Sequence, residues 1–311
     1  MCGLVQKLNG FEHRKMIHFH NRYTEKTETE QIYGESWLRW AYETKLGRGF
    51  LHTIIKRIAF SQWYGWYMSR QASAAKIQPF IRDYGIDVST SEKPPSAFAT
   101  FNDFFTRRLK PGARPIDSNP DAVIFPADGR HLGFPNIQAV ETIFAKGQRF
   151  DLPSLIGSTA LAAHYHQGSL VISRLCPIDY HRFHFPAAGV PSSPHNLCGF
   201  LYSVNPIALC RNLAILWHNK RVITELDTQH LGRVLLLEIG ATCVGSIHQT
   251  HTPRQFVNKG QEKGYFAFGG SSVITIFEPQ RVQLAEDLLN ATAAGLELYA
   301  HMGDRLGVRS R

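Results

Sequence analysis

The chain of 311 residues is more notable at first for what it lacks. No apolar run approaches the roughly 18 residues that a membrane-crossing helix needs, so a transmembrane helix is not expected. The first residues, "MCGLVQKLNGFEHRKMIHFHNRY", have no apolar core of the kind a secretory signal carries, so no such leader is expected. There are only five cysteines (Cys2, Cys176, Cys198, Cys210, Cys243), widely spaced and without a CxxC pair. That excludes a disulfide scaffold and the usual zinc spacings, and suggests free thiols in a reducing, cytoplasm-facing setting. No GxSxG nucleophile elbow is present, which argues against an ordinary serine hydrolase. Internal repeats and low-complexity tracts are also missing.

Acidic residues are in short supply in one region. Overall, 34 Lys and Arg against 25 Asp and Glu give a net charge of +9, pointing to an anionic partner. From Trp37 to Lys76 the imbalance sharpens. Arg39, Lys45, Arg48, Lys56, Arg57, Arg70 and Lys76 face a single acid, Glu43. Four of the five tryptophans (Trp37, Trp40, Trp63, Trp66) lie there too, with Tyr42, Tyr64 and Tyr67. Trp and Tyr suit the membrane interface because each joins an apolar ring to a polar tip. In "GRGFLHTIIKRIAFSQWYGWYM", Leu51, Ile54, Ile55 and Ile58 recur at helical spacing with Lys56 and Arg57 on another face. Such a helix can lie in the headgroup region or dock on the protein's own core.

The first 90 or so residues read as helical. A polar, proline-containing stretch, "DVSTSEKPPSAFATFNDFF", then marks a boundary. "FNDFFTRRLKPG" reads as a short helix capped by Asn102. From Ala122 onward come short strand-like runs bounded by Gly, Pro, Asn or Asp. Leu284–Met302 reads as a closing helix. The expected fold is α+β: a helical, membrane-associating region over 1–95, then a β-rich catalytic domain over 96–311 with a C-terminal helix.

Four pieces could carry chemistry, and each alone has an ordinary structural explanation. "PADGR" is an Asp-Gly turn that puts Asp128 at a strand end. "PIDYHRFHFP" carries His181 and His184 three apart; one imidazole near its ordinary pKa could act as general base or acid. No third ligand stands at metal spacing, so no metal is expected. "IGATCVGSI" is a strand with small residues that allow close backbone approach. "FGGSS" looks like a hairpin turn, although Asn-Gly or Asp-Gly would be the commoner choice. A serine there becomes reactive only beside a base.

Together, "FNDFFTRRLKPGARPID", "PADG", "DYHRFHFPAAG", "GATCVGSI" and "KGYFAFGGSSVITIFE" resemble the phosphatidylserine decarboxylases, in order, from about Ser96 to Glu278. The resemblance implies a proenzyme that cuts itself between Gly270 and Ser271 into a β chain (1–270) and an α chain (271–311). Ser271 then becomes a pyruvoyl group, the covalent cofactor, which takes phosphatidylserine as a Schiff base and releases CO2 and phosphatidylethanolamine. Asp128, His184 and Ser271 are carried over as the catalytic set, with His184 as base. His181 is carried over for substrate binding or protonation. Two positions depart from the common family pattern: Gly269 replaces Leu, and Ser272 replaces Thr, which leaves Ser272 as a rival nucleophile. Arg174, Arg182 and Lys259 are open candidates for the lipid phosphate.

Expected partners are phosphatidylserine in the membrane, the two cleavage products with each other, and a second copy as a homodimer, with no nucleic acid. The expected location is peripheral, on the cytoplasmic face of a membrane. Two other readings stay open: a pyruvoyl decarboxylase of a soluble amino acid, and a non-enzymatic β-rich carrier module with Lys259 as its carrier lysine.

Overall fold

The computed structural model describes residues 17–32, 34–140, 150–242, 246–267, 269 and 271–310. Helices and strands both occur, as an α+β chain requires, and no helix among the described residues is long and apolar enough to cross a membrane.

A ten-stranded sheet organises the chain. Along one path its strands are Lys26–Thr29, His18–Asn21, Glu297–Ala300, Gly129–Phe134, Ser169–Leu175, Ser271–Phe277, Gly232–Gly240, Arg221–Thr228 and Val190–Pro191; His195–Leu197 also pairs with Arg221–Thr228. All neighbours run antiparallel except His18–Asn21 beside Glu297–Ala300. The central strand "SSVITIF" is buried along its whole length. Its alternation explains why. Ile274 and Ile276 join one core with Ile172, Leu235 and Leu237, while Phe277 joins another with Val171 and Leu236. Each such aliphatic side chain contributes roughly 1.5–3 kcal/mol on full burial, so the strand is fixed from both faces.

"FGGSS" is not a hairpin turn. The strand before it, Glu262–Phe266, belongs to a separate three-stranded sheet with Ile247–Gln249 and Arg182–His184. The strand after it belongs to the large sheet. The segment therefore crosses between two sheets, and Gly269 does so at φ 132°, a backbone conformation that disfavours side chains.

Several expectations change. Residues 18–29 form a polar hairpin in the main sheet rather than helix; strands of four residues are too short to show a period. The helix Phe101–Phe105 is capped by Thr100, whose side chain accepts from the Asp103 amide, and not by Asn102. The closing helix is only Glu286–Ala293. Gly295 at φ 73° stops it, with the Gly295 and Leu296 amides bonded back to Thr292 and Ala291, and Glu297–Ala300 continues as a strand. Cys176 and Cys198 are free, but Cys210 is disulfide-bonded, so the five cysteines are not all thiols.

The segment from residue 35 to 84 is helical as expected, built from short pieces. Leu51 and Ile55 point into the protein's own core. The side chains of Ile54 and Ile58 lie outside what the structure describes. Trp37, Trp40, Phe50, Trp63, Trp66 and Tyr67 remain exposed. Arg70 sits over the Trp66 ring and Lys76 over the Tyr67 ring.

Candidate active site

Ser271 opens the central strand, facing Leu175 and Gly240 in register. Its side chain is fully buried, with Oγ 3.4 Å from Nδ1 of His181. The other ring nitrogen of His181, Nε2, lies 2.8 Å from the Cys176 carbonyl oxygen. A carbonyl only accepts, so Nε2 carries the proton and Nδ1 presents a lone pair to the serine hydroxyl. Burial pushes the His181 pKa down to about 3, against the bond to the Cys176 carbonyl and helped by the charge of Arg107. The ring is neutral at ordinary pH. Phe105 stacks on it at 4.0 Å. Ser272 is engaged elsewhere: its hydroxyl donates to the Ser173 carbonyl at 3.1 Å.

His184 ends the strand Arg182–His184, where its amide donates to the Pro126 carbonyl at 2.7 Å. Its Nδ1 is buried with no hydrogen-bond partner among the described residues. Burial lowers its pKa to about 4, opposed by the fields of Glu262 and Asp128. Asp128 does not touch it through a hydrogen bond among the described residues. Its carboxylate is gripped by Arg114, through Nε at 3.0 Å to both oxygens and Nη2 at 2.6 Å, and accepts from the Met302 amide at 2.9 Å. The structure thus brings His181 to Ser271, and holds Asp128 near His184 only electrostatically. Of the carried-over set, Asp128 is bonded to Arg114 and the Met302 amide and not to His184. Gly270 falls outside the described residues, as do Cys243, Val244 and Gly245 of "GATCVGSI".

A buried charge network that sequence reading missed supports this arrangement. Arg174 pairs with Glu30 and Glu297, and Arg130 with Asp179 and Glu30. Burial pushes the Glu30 carboxyl up, but Arg174 and Arg130 outweigh it and hold it at about 2. Asp179 also accepts from the Cys176 amide at 2.6 Å, which ties down the turn that presents His181. The only signal in the sequence was arginine inside otherwise apolar strand runs, such as Arg174 in "LVISRL".

A cavity of about 570 Å3 opens beside the Cys176 turn. Leu175, Cys176 and Gly269 line it from the catalytic side, and Trp37, Leu38, Phe60 and Tyr64 from the helical segment. Lys259, considered above as a carrier lysine, donates to the carbonyls of Asn119 and Ala122 at 2.6 and 3.2 Å. Its amine is tethered.

Three buried neutral histidines make the fold sensitive to acid. His131 joins His181 and His184; burial lowers it to about 3, with Nε2 on the Ala300 carbonyl and Nδ1 on the Ser173 hydroxyl. In the unfolded chain each titrates near 6.5, so below that pH the unfolded state binds more protons and stability falls with pH. Between pH 8 and pH 5 each histidine should remove on the order of 2 kcal/mol. Urea unfolding at the two pH values measures the sum, and His131→Gln should abolish about a third of it. Equal stability at pH 5 and 8 would refute neutral burial.

The family model described as phosphatidylserine decarboxylase matches residues 101–308. The phosphatidylserine decarboxylase proenzyme of Chlamydia trachomatis (serovar D) is 43% identical over 296 residues, covering 95% of this chain and 98% of that protein. The proenzyme of the same name from Desulfitobacterium hafniense (strain DCB-2) is 40% identical over 296 residues, 95% of this chain and 99% of its own. That from Clostridium botulinum (strain Hall) is 41% identical over 294 residues, 94% of this chain and the whole of the relative.

Proposed function

Because the chain belongs to the phosphatidylserine decarboxylase family, we propose that it cuts itself between Gly270 and Ser271 and then converts phosphatidylserine to phosphatidylethanolamine and CO2. The observation that carries this reading, beside the near full-length likeness, is the buried Ser271 hydroxyl set against an unprotonated imidazole nitrogen.

Maturation uses the chain's own groups. Ser271 Oγ attacks the Gly270 carbonyl carbon; the C–N bond breaks, an ester forms, and the hydroxyl proton passes through a base to the freed amine. Glycine leaves that carbonyl uncrowded. Removal of the Ser271 α-proton then expels the Gly270 carboxylate from Cβ. Addition of water and loss of ammonia leave a ketone at the head of the α chain, the pyruvoyl group. The ketone, when formed, supplies an electron sink for the pair left behind as CO2 departs.

In the reading carried over from the family, His184 is the base of maturation, biased by the Asp128 charge. Its unpartnered Nδ1 is free to take a proton. His181, against residue 271, binds substrate or returns a proton to the carbon that lost CO2. The 3.4 Å contact favours a second assignment, in which His181 itself takes the Ser271 proton. Cleavage of the His181→Ala and His184→Ala variants separates the two.

The membrane-facing role of residues 37–76 belongs to the same proposal. Withdrawing two long acyl chains from a bilayer costs well over 20 kcal/mol at about 0.8 kcal/mol per CH2, so the enzyme must go to its substrate. The exposed Trp63 and Trp66, with Arg70 and Lys76 beside them, suit an anionic interface, and Trp37, Phe60 and Tyr64 of the same segment line the cavity. Replacing Trp63 and Trp66 together by Ser should weaken binding to phosphatidylserine vesicles roughly tenfold or more while leaving turnover of a soluble short-chain lipid unchanged. Vesicle co-sedimentation reads the first and CO2 release the second. Undiminished vesicle binding would remove these residues from the interface.

The substrate class is tested by CO2 release from carboxyl-labelled phosphatidylserine vesicles and from free L-serine. Release from the lipid alone is expected; release from serine alone would favour the soluble amino acid reading.

A further inference from the structure

Around the two histidines, the carboxylates already have arginine partners. Asp128 has Arg114, Asp179 has Arg130, Glu262 has Arg182, and Glu30 and Glu297 share Arg174. The cations open for the lipid phosphate in sequence, Arg174, Arg182 and Lys259, are therefore committed to carboxylates or carbonyls. Arg107 is left over.

Arg107 follows the helix Phe101–Phe105 and keeps only 6% of its surface exposed. Among the described residues its guanidinium makes no hydrogen bond or ion pair: Nε is buried without a partner, and the group lies over the Phe104 ring at 5.0 Å. It belongs to the reaction site by position. Its neighbour Phe105 stacks on His181, and Arg182 donates to the carbonyls of both Thr106 and Arg107. Asp128, Asp179 and Tyr180 lie within its field, and its own charge is felt at His181. A desolvated cation with no hydrogen bond or ion pair is a poor structural element, because burial penalises its charge and the fields of Asp128 and Asp179 only partly offset that. Beside a reaction centre, the same group is a ready receptor for an anion.

We propose that Arg107 receives the phosphodiester of the serine-lipid headgroup; this rests on the function proposed above. The substrate also carries a carboxylate, but that charge leaves with CO2. A cation that held it would stabilise the ground state more than the transition state. The phosphodiester keeps its charge from substrate to product, and the planar guanidinium fork matches its oxygens.

The test uses the full-length matured enzyme, its cleavage checked by mass, acting on dihexanoyl phosphatidylserine below its micelle concentration. Arg107→Met should raise KM roughly 30- to 100-fold with kcat within about threefold, and Arg107→Lys should recover part of the loss. Glycerophosphoethanolamine, which has the phosphodiester and no carboxylate, should inhibit the parent enzyme but not Arg107→Met. O-methyl-L-serine, with a carboxylate and no phosphate, should inhibit both alike. Urea unfolding without ligand should show neither variant appreciably less stable than the parent, since no internal hydrogen bond or ion pair is lost and Met can still cover the Phe104 ring. An unchanged KM overturns the proposal, as does a defect confined to O-methyl-L-serine. Loss of stability or failure to fold in both variants would make Arg107 a structural cation and overturn it too. If the unaltered, cleaved enzyme leaves the lipid untouched, the proposed function has failed and this inference falls with it.

Discussion

Ser271→Ala is expected to yield one uncut chain of 35.1 kDa with no decarboxylation above background. Under the proposed function two losses coincide in this variant: the nucleophile of the self-cleavage, and the source of the ketone. Ser272 is the adjacent hydroxyl, but it donates to the Ser173 carbonyl, in register with strand Ser169–Leu175. Ser272→Ala should therefore be cut like the parent. The Ser271→Ala protein should remain folded, because its hydroxyl makes one long contact, worth about 1 kcal/mol or less. Denaturing mass spectrometry reads the cleavage and urea unfolding reads the fold. A Ser271→Ala chain that is still cut at this site would move the chemistry to another residue.

The second large effect distinguishes the two histidines. In the carried-over assignment, His184→Ala is blocked in cleavage and accumulates as the uncut chain. His181→Ala is cut, yet its decarboxylation falls by roughly 10^2- to 10^4-fold, the range for loss of a positioned acid or base. Asp128→Asn should resemble His184→Ala more mildly, since Asp128 reaches His184 through its field and not through a bond. The rival assignment reverses the cleavage result. If His181 takes the Ser271 proton, His181→Ala is the chain that stays whole and His184→Ala is cut. Cleavage half-times by mass for the two variants decide between them. Normal cleavage in both would remove imidazole from the maturation step.

The apolar alternation of "SSVITIF" announced a strand, and the strand is there, buried on both faces. The helical texture of residues 35–84 was equally plain, because Leu51 and Ile55 recur at helical spacing. The hairpin at 18–29 was not legible: its strands are four residues long and mostly polar, and are held by pairing with Glu297–Ala300 at the far end of the chain. The end of the closing helix is not legible in the sequence because one left-handed glycine, Gly295, decides it.

At the site, the blocks bearing Asp128, the two histidines and Ser271 were visible, but their contacts were not. Two histidines three residues apart cannot be ranked without knowing that the strand starts at Arg182, after His181. The grip of Arg114 on Asp128 and of Arg174 on Glu30 joins residues that no local period relates. Arg107 was hidden for another reason. It stands out by making no hydrogen bond or ion pair among the described residues, and the sequence does not tell which arginines are already paired.

The central claim is that residue 271 is both cleavage point and cofactor precursor. The most direct measurement is the intact mass of the purified protein under denaturing conditions, before and after borohydride treatment. Two chains split after Gly270 are expected, the smaller lacking the free amine of a serine terminus and gaining about two hydrogens on reduction, as a ketone must. A single unreduced 35.1 kDa chain from cells that show the activity would contradict the account.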